Sequence, residues 1–276
     1  FYEMEKKYKL KTNKDLDGRI GWWIIIKKKN FLFVDGRYTE QAKIQAGKNF
    51  KILEIPKKLP YQILNSRLNL GFDPTVFTSR NLLYYFRNKV KLTPITKTII
   101  NSNISNDHSS RKFYSLNPKV VGETVDSKIK RLIQILKKDR SDHIFISAPE
   151  NVAWLLNIRG RDNPFSPIPN CRMIINIKRE VSFFSDLKKS SNIFKKKSFL
   201  KISFFEENRI ENFLGRLKAK KIIIDKNSCP VLLENLISSK FKISKNGDPL
   251  YLMKSIKNKV EINKTIESHI HDGVAV

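Results

Sequence analysis

The sequence predicts an α/β protein made of two tandem related domains, each a mixed sheet with flanking helices. Two observations carry that expectation. Strand-length runs of apolar, β-branched and aromatic residues alternate with stretches of helical spacing, the pattern of layered α/β domains. The same succession of segments also occurs twice at a nearly fixed offset: Asp35 recurs as Asp186, 151 positions on, and Asp73 as Asp225, 152 positions on. An offset held through several segments marks an internal duplication.

The first copy opens with Trp22 to Val34, two apolar runs around Lys27-Lys-Lys-Asn30, which reads as a hairpin closed by Asp35. A hairpin is antiparallel, so the sheet it enters is mixed. Thr39 to Ala46 has helical character, and Phe50 to Ile55 reads as a strand. Leu68 to Phe72 reads as another, turning at Asp73-Pro74, before a helix over Arg80 to Phe86 and a strand near Val90. Asn101 to Arg111, rich in Asn and Ser and without an apolar period, is the natural linker.

The second copy starts with an amphipathic helix, because Val125, Ile129, Leu132, Ile133 and Leu136 fall at helical spacing. A strand over His143 to Ser147 and a helix over Glu150 to Leu156 follow. Met173 to Ser185 repeats the hairpin around Lys178-Arg-Glu180, and the polar stretch Leu187 to Asn192 comes next. Strands at Phe199 to Phe205 and Lys221 to Ile224, a helix over Leu232 to Ser238 and a strand near Phe241 complete the parallel. Ile256, Val260, Ile266, Ile270 and Val274 mark a closing amphipathic helix. Moved back by the same offset, the second copy's opening helix and strand fall before residue 1. The first domain is therefore expected to be truncated at its start, with an unpaired sheet edge.

The chain has 276 residues, 40% of them hydrophobic, with 18 Phe and 8 Tyr, enough to fill two cores. Its formal charge of +28 raises the question of a polyanion partner. The excess is mostly Lys spread along the whole chain, together with abundant Asn, Ile and Phe, as an AT-biased coding sequence produces. No Arg-rich stripe, zinc spacing or aromatic RNA-binding signature accompanies it, which argues against nucleic acid. The best apolar run, Trp22-Trp-Ile-Ile-Ile26, is strand-sized, which argues against a membrane span. Nothing at Phe1 resembles a secretory signal. Cys171 and Cys229 form no close-spaced pair or ligand set and read as buried thiols, so a reducing, cytoplasmic setting is expected.

Four residues are candidates for contacts. Asp35 can cap the helix near Thr39 while Gly36 permits the turn, and Arg37 beside them either serves that turn or reaches a carboxylate at an interface or substrate terminus. The loop after Leu156 carries Arg159, Arg161 and Asp162 beside Pro164, Pro167 and Pro169. It reads equally as a stiff binding loop and as a rigid connection whose charges pair among themselves. His269 and His271, at i and i+2, point to different helix faces and do not make a metal site. No phosphate loop, His-Glu-x-x-His, nucleophile elbow or cysteine-ligand pattern occurs, so no catalytic, cofactor-binding or metal-ligating residue is expected in this chain.

Phe33-Val-Asp-Gly-Arg-Tyr-Thr-Glu-Gln-Ala42, Pro149-Glu-Asn-Val-Ala-Trp-Leu-Leu-Asn-Ile-Arg-Gly160, and Lys254 to Ile262 with His269-Ile-His-Asp-Gly-Val-Ala275 resemble, in order and spacing, the three-domain Xaa-Pro aminopeptidases. The departure is Asp17-Gly-Arg-Ile-Gly21, where that family usually has a Phe-x-Gly-Ser-like segment. The resemblance implies creatinase-like N-terminal domains over 1–112 and 113–250, with 251–276 as the first helix of a pita-bread catalytic domain. It implies a hydrolase that releases the first residue from peptides with proline second. Two metal ions, usually manganese, would be held in that catalytic domain by two Asp, one His and two Glu, none of which matches a position here. His269 and Asp272 match family positions that are not ligands. The chain is thus expected to be a non-catalytic N-terminal part of such an enzyme, inactive alone. It would serve homodimer formation and access to the active site, with Arg37, Arg159, Arg161 and Asp162 at the interface or entrance. The alternatives are a non-catalytic interaction or regulatory protein of creatinase-like fold and a basic polyanion-binding protein.

Overall fold

The repeated hairpins form as antiparallel pairs, and the rest of each sheet grows from them. The computed structural model describes residues 21–26, 29–46, 48, 50–95, 111–162, 166–190, 193 and 201–275. The expectations for residues 1–20 and for all but the last residue of the linker Asn101 to Arg111 lie outside these. The chain divides into two compact units, Phe1–Asn106 and Asp107–Val276.

In the first unit, β1 (Gly21–Ile26) pairs antiparallel with β2 (Lys29–Asp35). A crossover through a 3-10 turn (Gly36–Tyr38) and α1 (Thr39–Ala46) brings β3 (Phe50–Ile55) parallel to β2. Phe31 and Phe33 pack with Phe86 and Val90 on one face of β2, while Leu32 and Val34 pack with Ala42 and Phe50 on the other. The strand is buried on both sides, as its unbroken apolar run requires. After α2 (Pro60–Ile63), β4 (Asn69–Phe72) and β5 (Lys91–Pro94) form a parallel pair joined by α3 (Ser79–Phe86). Thr78 Oγ1 caps α3 by accepting from Asn81 N, and Arg87, left-handed at φ 45°, ends it.

The second unit begins earlier than the periodicity suggests. Short β6 (Tyr114–Ser115) and the turn α4 (Pro118–Val121) precede α5 (Val125–Asp139). Next come β7 (His143–Ile146), α6 (Pro149–Leu155), β8 (Ile158–Arg159), and the hairpin of β9 (Cys171–Asn176) and β10 (Glu180–Ser185). Asn176 Oδ1 accepts from Lys178 N and Glu180 N and fixes the hairpin turn. The predicted polar stretch is a single turn, α7 (Leu187–Ser190), ahead of β11 (Lys201–Phe205). The chain continues as α8 (Ile210–Arg216), β12 (Lys221–Ile224), α9 (Val231–Ser238), β13 (Lys242–Ile243), α10 (Leu250–Ser255) and α11 (Lys259–Ala275).

Its sheet has the order β11-β10-β9-β7-β12-β13. Helix α5 covers one face, with Ile129, Leu132 and Leu136 against Ile144, Met173 and Phe183. Helices α8 and α9 cover the other, with Leu214 and Ile237 against Phe145, Ile174 and Ile224.

The duplication is visible in this topology. β1-β2-β3 of the first unit repeats β9-β10-β11, with the same antiparallel then parallel pairing. The parallel pair β4-β5 repeats β12-β13. In the second unit β7 joins the two halves; among the described residues of the first unit no strand takes that place. No helix among the described residues is long and apolar enough to cross a membrane.

Candidate functional site

Arg37 turns back on its own strand end. Asp35 Oδ1 accepts from Arg37 N at 3.0 Å and Nε at 2.9 Å, and Oδ2 from Nη2 at 3.3 Å. Asp35 thus caps the 3-10 turn rather than α1 itself, because that turn intervenes before Thr39. Those hydrogen bonds hold the Asp35 carboxyl below its ordinary pKa and raise that of Arg37. The guanidinium stays at the surface, with its side chain 74% exposed.

The second candidate cluster divides into three different environments. Arg159 is half-buried, with Nη1 donating to the carbonyls of Ile158 (2.8 Å) and Ala153 (3.4 Å), and burial lowers its pKa. Arg161 is exposed and forms no ion pair among the described residues. Asp162 points inward: its side chain is 1% exposed, accepts from Lys189 Nζ at 2.5 Å and from Asn170 N at 2.7 Å. The loop closes tightly on itself at Gly160, where a Cβ would lie 2.7 Å from Pro169 Cα.

Beneath the loop lies a polar network that sequence reasoning passed over. Lys128 is 1% exposed; its Nζ donates to Trp154 O (2.8 Å) and Asn157 Oδ1 (2.7 Å) and sits 4.0 Å from the Trp154 ring centroid. Burial is the largest influence on it and lowers its pKa to about 8. Asn157, left-handed at φ 53°, passes the contact on by donating to Glu123 O. Trp154 Nε1 reaches Glu261 Oε1 at 3.3 Å, and Glu261 with Asn258 forms the capping box of α11. The signal was present in the sequence: Lys128 stands on the apolar stripe of α5 between Val125 and Leu132.

A second buried knot ties α6 to the segment after β13. Asn151, fully buried, donates to Asp248 Oδ2 (2.8 Å) and accepts from Lys254 Nζ (2.7 Å). Asp248 caps α10 through Leu250 N, and burial pushes its pKa up to about 6. These groups are spent on one another, and the knot is structural. Cys171 and Cys229 are buried free thiols whose pKa values burial raises.

Helix α11 contrasts with everything before it. None of its residues is buried, and Ile262, Ile266, Ile270 and Val274 expose 47%, 55%, 63% and 84% of their surface. His269 and His271 are exposed on it. Among the described residues no group of three or more His, Cys, Asp or Glu side chains converges to hold a metal ion.

The α/β fold with its internal repeat, the buried Asn-Val-Ala-Trp helix and the rigid loop after it define a creatinase-type N-terminal module. The chain belongs to the Creatinase/Prolidase N-terminal domain family, whose profile matches residues 105–261, more than half of its length. It is similar to the probable Xaa-Pro aminopeptidase P of Laccaria bicolor, 30% identical over 166 residues that make up 55% of this chain and 26% of the relative. It is also similar to Xaa-Pro aminopeptidase 1 of Dictyostelium discoideum, 26% identical over 241 residues, 78% of this chain and 38% of the relative. The chain therefore spans well under half the length of these relatives. Among solved structures, the X-prolyl aminopeptidase of Caenorhabditis elegans, a cytosolic enzyme with a di-nuclear active site, shares the fold with a TM-score of 0.74 at 20% identity. That match covers 91% of this chain and 44% of the other. The resemblance read from the three sequence motifs is borne out, as is the mixed α/β class.

Proposed function

We propose that the two units are the non-catalytic N-terminal portion of a cytoplasmic Xaa-Pro aminopeptidase, a hydrolase that removes the first residue from peptides with proline second. The observation that supports this most is the run of Xaa-Pro aminopeptidase relatives that match more than half of this chain. The exposed apolar stripe of α11 fits the same reading, since a further domain would cover it. Two metal ions, manganese in this proposal, would activate water and polarise the scissile carbonyl. The side chains described here do not fit such a pair, and no step of hydrolysis is assigned to them.

In this reading the two units serve homodimer formation and control access to the active site. The geometry ranks the four candidate contacts. Asp162 is committed to Lys189 and Arg37 to Asp35, while the Arg159 fork lies along backbone carbonyls. Arg161 alone among them keeps an exposed, unpaired guanidinium, the group suited to a peptide carboxylate or a partner's acid.

The test is hydrolysis of an Arg-Pro-containing tripeptide with Mn²⁺. The purified chain is expected to give none, and the product of the whole reading frame to be active. In that active protein Arg161→Ala should raise KM or the dimer dissociation constant by up to about tenfold with little change in kcat. Metal-dependent cleavage by the chain alone, or an inactive whole product, sinks the proposal.

A further inference from the structure

Helix α8 ends before the sheet beneath it does. It packs on Phe145, Ile174 and Phe184, while His143, Asn176, Glu180 and Ser182 of the same strands line open space. The result is a cleft of about 840 Å³ between β10, β9 and β7 on one side and the end of α8 on the other. Its volume falls within the range of small-molecule sites, about 300–1,000 Å³.

Its walls are apolar: Ile174 from the sheet, Phe213 from α8, Leu217 just after it, and Phe241 ahead of β13. Its charged groups sort into spent and unspent. Asp142 already accepts from the backbone N–H groups of Lys220 and Lys221, and Glu180 from Asn176 and Lys201. Lys178, Lys218 and Lys220 line the same cleft and form no ion pair among the described residues.

Between walls and rim stands His143, half-buried on β7. Its Nδ1 is buried and has no hydrogen-bond partner among the described residues. A smaller hollow of about 450 Å³ shares Phe213, Leu217 and Lys218 with the cleft and adds Arg209 and Arg216.

We propose that this cleft is a binding site for a small amphipathic organic anion, an aryl or alkyl body carrying one carboxylate. The apolar body would lie against Phe213, Leu217 and Phe241. The carboxylate would take the unspent ammonium groups of the rim, since an acceptor-only group needs donors. The two acidic side chains in the lining already have partners and keep the site from being uniformly cationic, so a bare inorganic anion gains little there.

The test uses the full chain, with 3-phenylpropionate as the probe, followed by calorimetry and by the imidazole NMR signals of His143. The chain has four histidines, so His143→Ala assigns that signal directly. The expected dissociation constant is about 0.1–1 mM, with the His143 signal moving on binding. The neutral 3-phenylpropionamide and the body-less acetate should each bind at least about tenfold more weakly, and Lys218→Glu/Lys220→Glu, at exposed positions, should weaken phenylpropionate by the same factor. Absence of heat and of any His143 shift at about 10 mM overturns the proposal. So does equal binding of the amide, or binding indifferent to the double lysine substitution.

Discussion

Lys128 carries the least expected chemistry of any single residue here. A lysine within an apolar stripe costs desolvation, which its two hydrogen bonds and the Trp154 ring offset only in part. Its folded pKa of about 8 lies below the ordinary 10.5. Between those two values the unfolded chain holds the extra proton, so this group makes stability rise as pH climbs from 8 to 10.5. The whole effect is on the order of 3 kcal/mol. Lys128→Met should flatten that alkaline rise in urea titrations run at several pH values. At pH 7 it should also cost about 1–3 kcal/mol, because Trp154 O and Asn157 Oδ1 are left buried without a donor. A variant that keeps the rise would show that another group causes it.

At the scale of elements, the loop from Gly160 to Pro169 is held by one buried ion pair. Asp162→Ala strands the Lys189 ammonium, 9% exposed, and is expected to cost about 3–5 kcal/mol. Asp162→Ala/Lys189→Met should recover a large part of that loss, since neither charge then remains, and thermal unfolding of the three proteins measures it. Unchanged stability in the single variant would mean that the pair is open in solution. Sequence periodicity could not see this pair, because Asp162 and Lys189 lie 27 positions apart and on different elements. The same limit hid α8. Ile210, Phe213 and Leu214 offer barely one turn of apolar spacing, with Gly215 beside them, so its helicity comes from packing on Phe145 and Ile174 rather than from propensity. By contrast α5, α3 and α9 were legible, since each repeats its period over several residues and α5 and α3 carry their own side-chain caps, and both hairpins were legible from their strand-length apolar runs. Among the site candidates, Arg37 and Asp35 were readable as a local turn. The roles of Asn151 and Asn157 were not, because their partners Asp248, Lys254 and Lys128 are brought to them only by the fold.

For the whole molecule, the duplication makes a statement about folding. Each unit has its own core. The second also has its own helices on both faces of a six-stranded sheet. Among the described residues, both clusters of that core are built from Phe113 onward, so residues 107–276 expressed alone should fold cooperatively. The acid limb of that unit is set in part by Asp139. Burial pushes its carboxyl up, but hydrogen bonds from Ser141, Lys221, Ser244 and Asn246 outweigh this and leave its pKa at about 2. Its contribution is therefore complete above pH 4 and is lost as pH falls toward 2, an effect of about 2 kcal/mol. The excised unit should show one sharp urea transition at pH 7, and Asp139→Asn should shrink the fall in its stability between pH 4 and pH 2. A broad, non-cooperative transition would mean that the second unit needs the first to complete its core, and that the repeat is two halves of one folding unit.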